Sequence, residues 1–290
     1  MLTSRPASRR LSRPVVERKG WAMQTLTGIS LEDVQAVYDG AEGDLWELVM
    51  GEQIHIGGFV SSMDLAERAG IGGGMTGVDL CCCNGAGMRF LVRFRGVDGM
   101  TGVDATRTVV ERGRARTADE GLADRIKFVE ADVCESGLPD GSADFVWGED
   151  AWCYVADKSR LIAEASRIAK PGGIIAFTDW VAGPQPMSEA ESERYLRFMK
   201  FPNVLTLDEY GERLDDAGCR VKAAIDTERF PAYVDLYLDM LTKQLTYDAL
   251  KRIDWDTDLM GVLGGEMQLI QELAHDRKIS QGLVIAERTI

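Results

Sequence analysis

A doubly wound α/β fold is what this sequence predicts: a mostly parallel sheet of seven strands, an N-terminal helical cover and a helical lid insertion. Two observations carry the expectation. From Thr76 onward, short apolar runs alternate with longer helical stretches, and such alternation sets parallel strands side by side with helices on both faces. The first run, Gly77-Val78-Asp79-Leu80, passes through Cys81-Cys82-Cys83-Asn84 into Gly85-Ala86-Gly87 and then a helix. A turn of small residues between strand and helix lets a ligand reach the backbone and meet free N–H groups at the helix start.

The elements follow in order. Residues 1–22 form a basic, acid-poor tail, with Arg5, Arg9, Arg10, Arg13, Arg18 and Lys19 against Glu17; it is expected to be disordered, or to precede a true start at Met23. Its Arg- and Ser-rich composition also matches organelle-targeting leaders. Residues 23–75 read as the helical cover: helix from Leu31 to Met50 with a break at Asp39-Gly40, a loop from Gly51 to Gly58, helix from Met63 to Ala69, and a hinge at Gly72-Gly73-Gly74. Residues 76–182 hold strands at Thr76–Leu80, Met100–Val103, Ile126–Glu130, Ala143–Trp147 and Ile174–Asp179. Helices over Ala86–Arg93, Thr106–Glu120 and Lys158–Ala169 lie between them, and Lys170-Pro171-Gly172-Gly173 reads as a stop and turn. In residues 183–290, a Pro-, Met- and charge-rich cover to Leu205 precedes a helix at Leu207–Ala217 and a strand at Arg220–Ile225. Amphipathic helices at Pro231–Ile253 and Leu259–His275 then lead to a last strand at Gly282–Arg288. The helical mass between these two strands is long for a connector and is read as a lid or substrate wall.

Composition narrows the function. A net charge of −14 argues against nucleic acid, whose phosphates need a basic surface. No apolar run approaches the roughly 20 residues that span a bilayer. Six cysteines show no C-x-x-C unit, which suits free thiols in a reducing cytoplasm, and only His55 and His275 would add nitrogen ligands, so no metal is expected. The expected partner is a small molecule, with the state of assembly open between monomer and homodimer.

Four acidic positions stand at strand ends: Asp79, Asp104, Asp132, and Glu149 or Asp150. In an open α/β sheet ligands sit at the carboxyl ends of the strands. A carboxylate about 20 residues past the glycine turn accepts hydrogen bonds from ribose hydroxyls, which assigns Asp104. Asp132 is placed to reach an adenine amino group. An acid ending the first strand would repel a pyrophosphate but suits a cofactor bearing an ammonium group, and the glycine pattern of the turn that follows is shorter than G-x-G-x-x-G; both point to S-adenosylmethionine rather than NAD.

The segment Asp79-Leu80-Cys81-Cys82-Cys83-Asn84-Gly85 resembles the D-x-G-x-G-x-G first motif of class I S-adenosylmethionine-dependent methyltransferases, a Rossmann-like family. Asp104, Glu130-Ala131-Asp132-Val133, Asp144-Phe145-Val146-Trp147 and Lys170-Pro171-Gly172-Gly173 fall where that family has its later motifs. Gly51-Glu52-Gln53-Ile54-His55-Ile56-Gly57 and Trp147-Gly148-Glu149-Asp150-Ala151-Trp152 are similar to segments of sarcosine/dimethylglycine N-methyltransferases. The resemblance implies methyl transfer to a small amine, with oxygen, carbon or sulfur acceptors and a non-catalytic cofactor-binding protein as alternatives. It implies a cofactor set of Tyr38, Asp79, Cys81, Gly85, Asp104, Ala105, Asp132, Val133 and Glu149. For chemistry it points to His55 as a base, Gln53 beside the methyl group, and Glu149 or Asp150 on the substrate amine. Arg194 and Arg197 are candidates for a substrate carboxylate, while Trp147, Trp152 and Trp180 read as core. Where the family has its first two glycines this chain has Cys81 and Cys83, which must hold φ below zero or accept strain.

Overall fold

The computed structural model describes residues 24–26 and 28–289. The basic tail read at residues 1–22 lies outside them. A two-residue strand β1 (Gln24–Thr25) precedes the helices α1 (Leu31–Asp39), α2 (Ala41–Met50) and α3 (Gly58–Arg68). The sheet then starts with β2 (Thr76–Leu80), α4 (Ala86–Phe94), β3 (Gly99–Asp104), α5 (Arg107–Asp119), β4 (Ile126–Glu130) and β5 (Ala143–Glu149). After a 3-10 turn at Trp152–Tyr154 come α6 (Lys158–Ile168), β6 (Ala169–Ala182), α7 (Glu189–Met199), β7 (Asn203–Val204), α8 (Leu207–Asp216) and β8 (Cys219–Asp226). The chain continues through α9 (Phe230–Asp239), a π turn, α10 (Thr246–Arg252) and α11 (Thr257–His275) to β9 (Ile279–Arg288).

Seven strands form one sheet in the order β4-β3-β2-β5-β6-β9-β8. All pairs are parallel except those of β9, which runs antiparallel to both β6 and β8. The order reverses between β2 and β5, so the crevice at their carboxyl ends is where a ligand has room. Alternation along β5 sends Phe145 and Trp147 to one face and Val146 to the other, and each face carries its own apolar core. Gly77 on β2 has no room for a Cβ, because the Phe145 ring occupies that space.

Local chemistry sets the helix ends. Ser30 caps α1 by accepting from the Asp33 N–H at 3.3 Å, and the Asp33 carboxylate accepts from the Ser30 N–H at 2.7 Å. Gly40 then separates α1 from α2, at the break the sequence predicts. Two expectations differ. Helix α3 starts five residues before the predicted Met63, because Ser61 and Ser62 sit on its buried face and interrupt the apolar period. Strand β6 starts at Ala169, and Lys170-Pro171-Gly172-Gly173 is a bulge inside it rather than a turn before it. The register jumps there from Ala143↔Ala169 to Phe145↔Ile174, and Lys170 Nζ donates to Asp144 Oδ1 at 2.6 Å across the bulge.

A third core joins the helical cover to the ends of β6 and β9. Leu45 and Val49 of α2 pack with Trp180, Tyr195, Phe201, Phe230, Tyr237 and Ile270, so the N-terminal cover and the late helices share one apolar cluster. The helical insertion leaves the sheet after Asp226 and returns beside it: Asp226 pairs with Gly282, and the Thr227 N–H donates to Gln281 O at 2.9 Å. Among the described residues no helix is long and apolar enough to cross a membrane.

Candidate functional site

The turn between β2 and α4 shapes the floor of the crevice. Cys81 has φ 66°, Cys83 φ 47° and Gly85 φ 77°. Both cysteines therefore occupy the left-handed region and carry the strain, at about 1 kcal/mol each. Backbone and side-chain bonds hold them there: Cys81 N–H donates to Val103 O and Cys83 N–H to Asp104 Oδ2, both at 2.9 Å. Asn84 links the turn to its surroundings, accepting from Ala86 N–H at 3.0 Å and donating to Glu52 O at 3.2 Å. Arg89, buried, donates to Asn84 O at 2.6 Å and pairs with Glu52 and Glu120. Successive thiols point apart. Cys82 packs into the core against Met88, while Cys81 and Cys83 border the crevice.

The crevice has two parts. The outer cavity, about 300 Å³, is bordered by Tyr38, Cys81, Cys83, Asp104, Ala105, Asp132 and Val133. Its size is that of a small-ligand pocket. Asp104 accepts from Cys83 N–H through one oxygen and from Thr106 N–H, at 2.9 Å, through the other. A carboxylate has about four acceptor sites, so capacity is left for hydroxyl donors. Asp132 accepts from Cys134 N–H at 2.8 Å, and Gln35 of α1 donates to Ala105 O at 2.8 Å, closing the cover onto this rim.

The inner chamber, about 60 Å³, shares Tyr38, Cys81, Cys83 and Ala151 with the outer one. It adds Gln53, His55, Asp79, Gly87 and Glu149. Behind its wall Ser62 joins three of these: Gln53 Nε2 donates to Ser62 Oγ at 2.9 Å, and Ser62 Oγ donates to Glu149 Oε1 at 2.6 Å. His55 Nε2 lies 3.1 Å from Ser62 Oγ and 3.3 Å from Glu149 Oε1. A Cβ on Gly87 would come within 2.9 Å of Glu149 Oε2 and 3.5 Å of Asp79 Oδ2, so glycine there leaves space for two carboxylates. Among the described residues no lysine or arginine pairs with either of them. Burial, then Glu149 and Asp104, push the Asp79 carboxyl well up. A cation entering the chamber relieves that cost, and a sulfonium with an ammonium group nearby fits.

Asp150 does something else. It has φ 49°, and its carboxylate accepts from Ile56 N–H at 2.8 Å and from Gln281 Nε2 at 2.8 Å, so it anchors the loop that carries His55. Tyr38 donates to Tyr154 at 3.2 Å, an aromatic pair over the junction of the two parts. Arg194 is away from the chamber, in an exposed pair with Glu266, and Arg197 pairs with Glu193 on α7. Trp147, Trp152 and Trp180 are buried in the cores. Sequence reading missed Ser62 and Gln281: the first lies in the undetected start of α3, and the second comes from the far end of the chain.

Asp179 is a further buried acid. Asp179 accepts from Cys153 N–H at 3.0 Å and from the Tyr210 hydroxyl, and burial pushes its carboxyl from 3.8 up to about 6. A folded-state value above the unfolded one favours the protonated acid in the fold, so stability is lost as pH rises toward and through about 6. Glu164 and Glu191, held down to about 2 by their partners, act in the opposite sense only below the ordinary glutamate range. Urea unfolding of the ligand-free protein is therefore expected to show lower stability at pH 7 than at pH 5, with about 1 kcal/mol of the difference from Asp179 and a further part of the same sign from the buried Asp79. Asp179→Asn should reduce that difference by about 1 kcal/mol and leave the Asp79 part; an undiminished slope in the variant would refute the assignment.

Comparison with known proteins agrees with this geometry. The description of a methyltransferase domain matches residues 78–177. The chain is 33% identical over 133 residues to the 27-O-demethylrifamycin SV methyltransferase of Amycolatopsis mediterranei, covering 45% of this chain and 49% of that one. It is 32% identical over 178 residues to the dimethylglycine N-methyltransferase of Parasynechococcus marenigrum, covering 55% and 62%. The chain spans about half the length of the curated relatives it matches. Phosphoethanolamine N-methyltransferase 2 of Haemonchus contortus, solved with phosphomonomethylethanolamine and S-adenosylhomocysteine, superimposes with a TM-score of 0.80 at 18% identity, covering 91% of this chain and 61% of that one. At that identity the likeness is one of fold. Residues 78–177 thus match a methyltransferase domain, the kind of S-adenosylmethionine-dependent domain that the sequence motifs resemble.

Proposed function

We propose that this protein transfers a methyl group from S-adenosylmethionine to a small-molecule amine, of the glycine-derived kind exemplified by sarcosine and dimethylglycine. The observation that carries the reading is the buried Glu149–Ser62–His55 cluster at the inner end of a cavity fitted for an adenosyl group. Bound S-adenosylmethionine supplies an electrophilic methyl carbon on a sulfonium. Asp104, Ala105, Asp132 and Val133 hold the nucleoside end, Tyr38 closes over it, and Asp79 and Cys81 border the amino-acid end, while Gly85 borders neither cavity and shapes the turn, the space of its missing Cβ being filled by Phe128. The chain's main contribution is alignment and exclusion of water. An amine attacks only when neutral, so Glu149 accepts its proton, with His55 behind and Gln53 orienting the shared hydroxyl.

Methylation of a hydroxyl is the second reading, favoured by the similarity to the rifamycin relative, since the same base also prepares an alcohol. Incubation with methyl-labelled S-adenosylmethionine separates the two. The panel is glycine, sarcosine, dimethylglycine, carboxylate-free amines and phenols. Label is expected on nitrogen; label on phenol oxygen alone supports the second reading. No transfer to any acceptor, with intact binding of S-adenosylhomocysteine by calorimetry, would replace both with a non-catalytic binding protein.

A further inference from the structure

Ser62 belongs to no wall of either cavity, yet three groups that border the inner chamber converge on its hydroxyl. It is fully buried on α3. Gln53 Nε2 occupies one acceptor site of Ser62 Oγ. The single hydroxyl proton then faces two close acceptors, Glu149 Oε1 at 2.6 Å and His55 Nε2 at 3.1 Å, with the backbone Gly58 O farther off at 3.5 Å. His55 Nδ1 lies 3.4 Å from Ile56 O, an acceptor that favours a proton on that nitrogen and the lone pair on Nε2. The carbonyl is fixed in turn, because Gln281 Nε2 donates to it at 2.9 Å and Asp150 holds the Ile56 N–H.

We propose that Ser62 relays a proton from Glu149 to His55 and so resets Glu149 as the base of the chamber. The balance is direct. An acceptor ammonium loses a proton to the Glu149 carboxylate; the carboxylic acid donates to Ser62 Oγ while the Ser62 hydroxyl proton passes to His55 Nε2. Glu149 is again an anion, His55 an imidazolium, and the amine is neutral for attack. The carbon–nitrogen bond then forms as the carbon–sulfur bond breaks. Ser62 touches neither substrate nor cofactor and is a positioning residue. Its hydroxyl turns from Glu149 toward His55 when Glu149 is protonated, a movement that needs no backbone change.

The kinetic part of this inference rests on the methyltransferase reading; the ring-nitrogen part does not. Only two histidines occur in the chain, so His275→Asn leaves His55 as the one nitrogen-15-labelled imidazole. Nuclear magnetic resonance of the ring nitrogens at mildly alkaline pH is expected to show the proton on Nδ1 in the Ser62 protein and in Ser62→Thr. In Ser62→Ala the hydroxyl donor is gone, and Nε2 gains the proton to donate to Glu149 Oε1, so the tautomer inverts. An Nδ1–H tautomer persisting in Ser62→Ala, or Nε2–H already present with Ser62 intact, overturns the relay. With an acceptor from the panel, Ser62→Ala is expected to lower kcat about 10-fold or more, with KM for S-adenosylmethionine within about twofold. An unchanged kcat also overturns it. If no acceptor is methylated, the functional reading falls and the tautomer result alone decides the relay.

Discussion

Replacing Asp104 by alanine is expected to weaken binding of S-adenosylhomocysteine by more than about 100-fold. The ribose assignment gives this carboxylate two hydroxyl donors, and a hydrogen bond to a charged group is worth about 1.5–3 kcal/mol. Two such bonds set the factor. The same side chain also braces the turn, accepting from Cys83 N–H and Thr106 N–H. Asp104→Asn separates the roles: it retains a carbonyl acceptor and the shape but lacks the charge. Calorimetry should place Asn between the native residue and alanine. Undiminished affinity in both variants would sink the ribose assignment.

Glu149→Gln should cost still more in the chemical step. The amide keeps an acceptor for the Ser62 hydroxyl at the position now 2.6 Å away, so the wall of the chamber keeps its shape. It takes no proton. Loss of a positioned general base typically costs 10²–10⁴-fold, and single-turnover rates with the best acceptor at pH 7 should fall by at least about 100-fold. Binding of S-adenosylhomocysteine, which lacks the sulfonium charge, should change by less than about fivefold. A rate within tenfold of the native protein's would move the proton acceptance elsewhere, with Asp150 excluded by its anchoring bonds to Ile56 and Gln281.

The half of the fold that holds the cofactor crevice was legible because its signals are local. Val78, Val103, Val129 and Val146 sit in short runs whose strand ends carry acids, and each run matches a strand of the sheet. The site's remaining parts depend on distant pairs. Glu149 was readable as a strand-end acid, but its choice over Asp150 rests on Gln281, which lies 131 residues further on than Asp150. Ser62 was hidden because a buried serine breaks the periodicity by which helices are found. The arginines of α7 were read from their charge type alone, and in the fold their partners Glu266 and Glu193 claim them. Cys81 and Cys83 hold a conformation that favours glycine, so the sequence raised the alternative and only the backbone angles decided it.

The pairing of Asp226 with Gly282 makes the insertion between β8 and β9 a cartridge with adjoining ends. Because departure and return points are neighbours, a longer, shorter or foreign helical cassette can be spliced in without pulling the sheet apart, at little extra loop-closure entropy. Divergence of acceptor range by exchange of that cassette, over an unaltered nucleoside cradle, is open to a chain built this way.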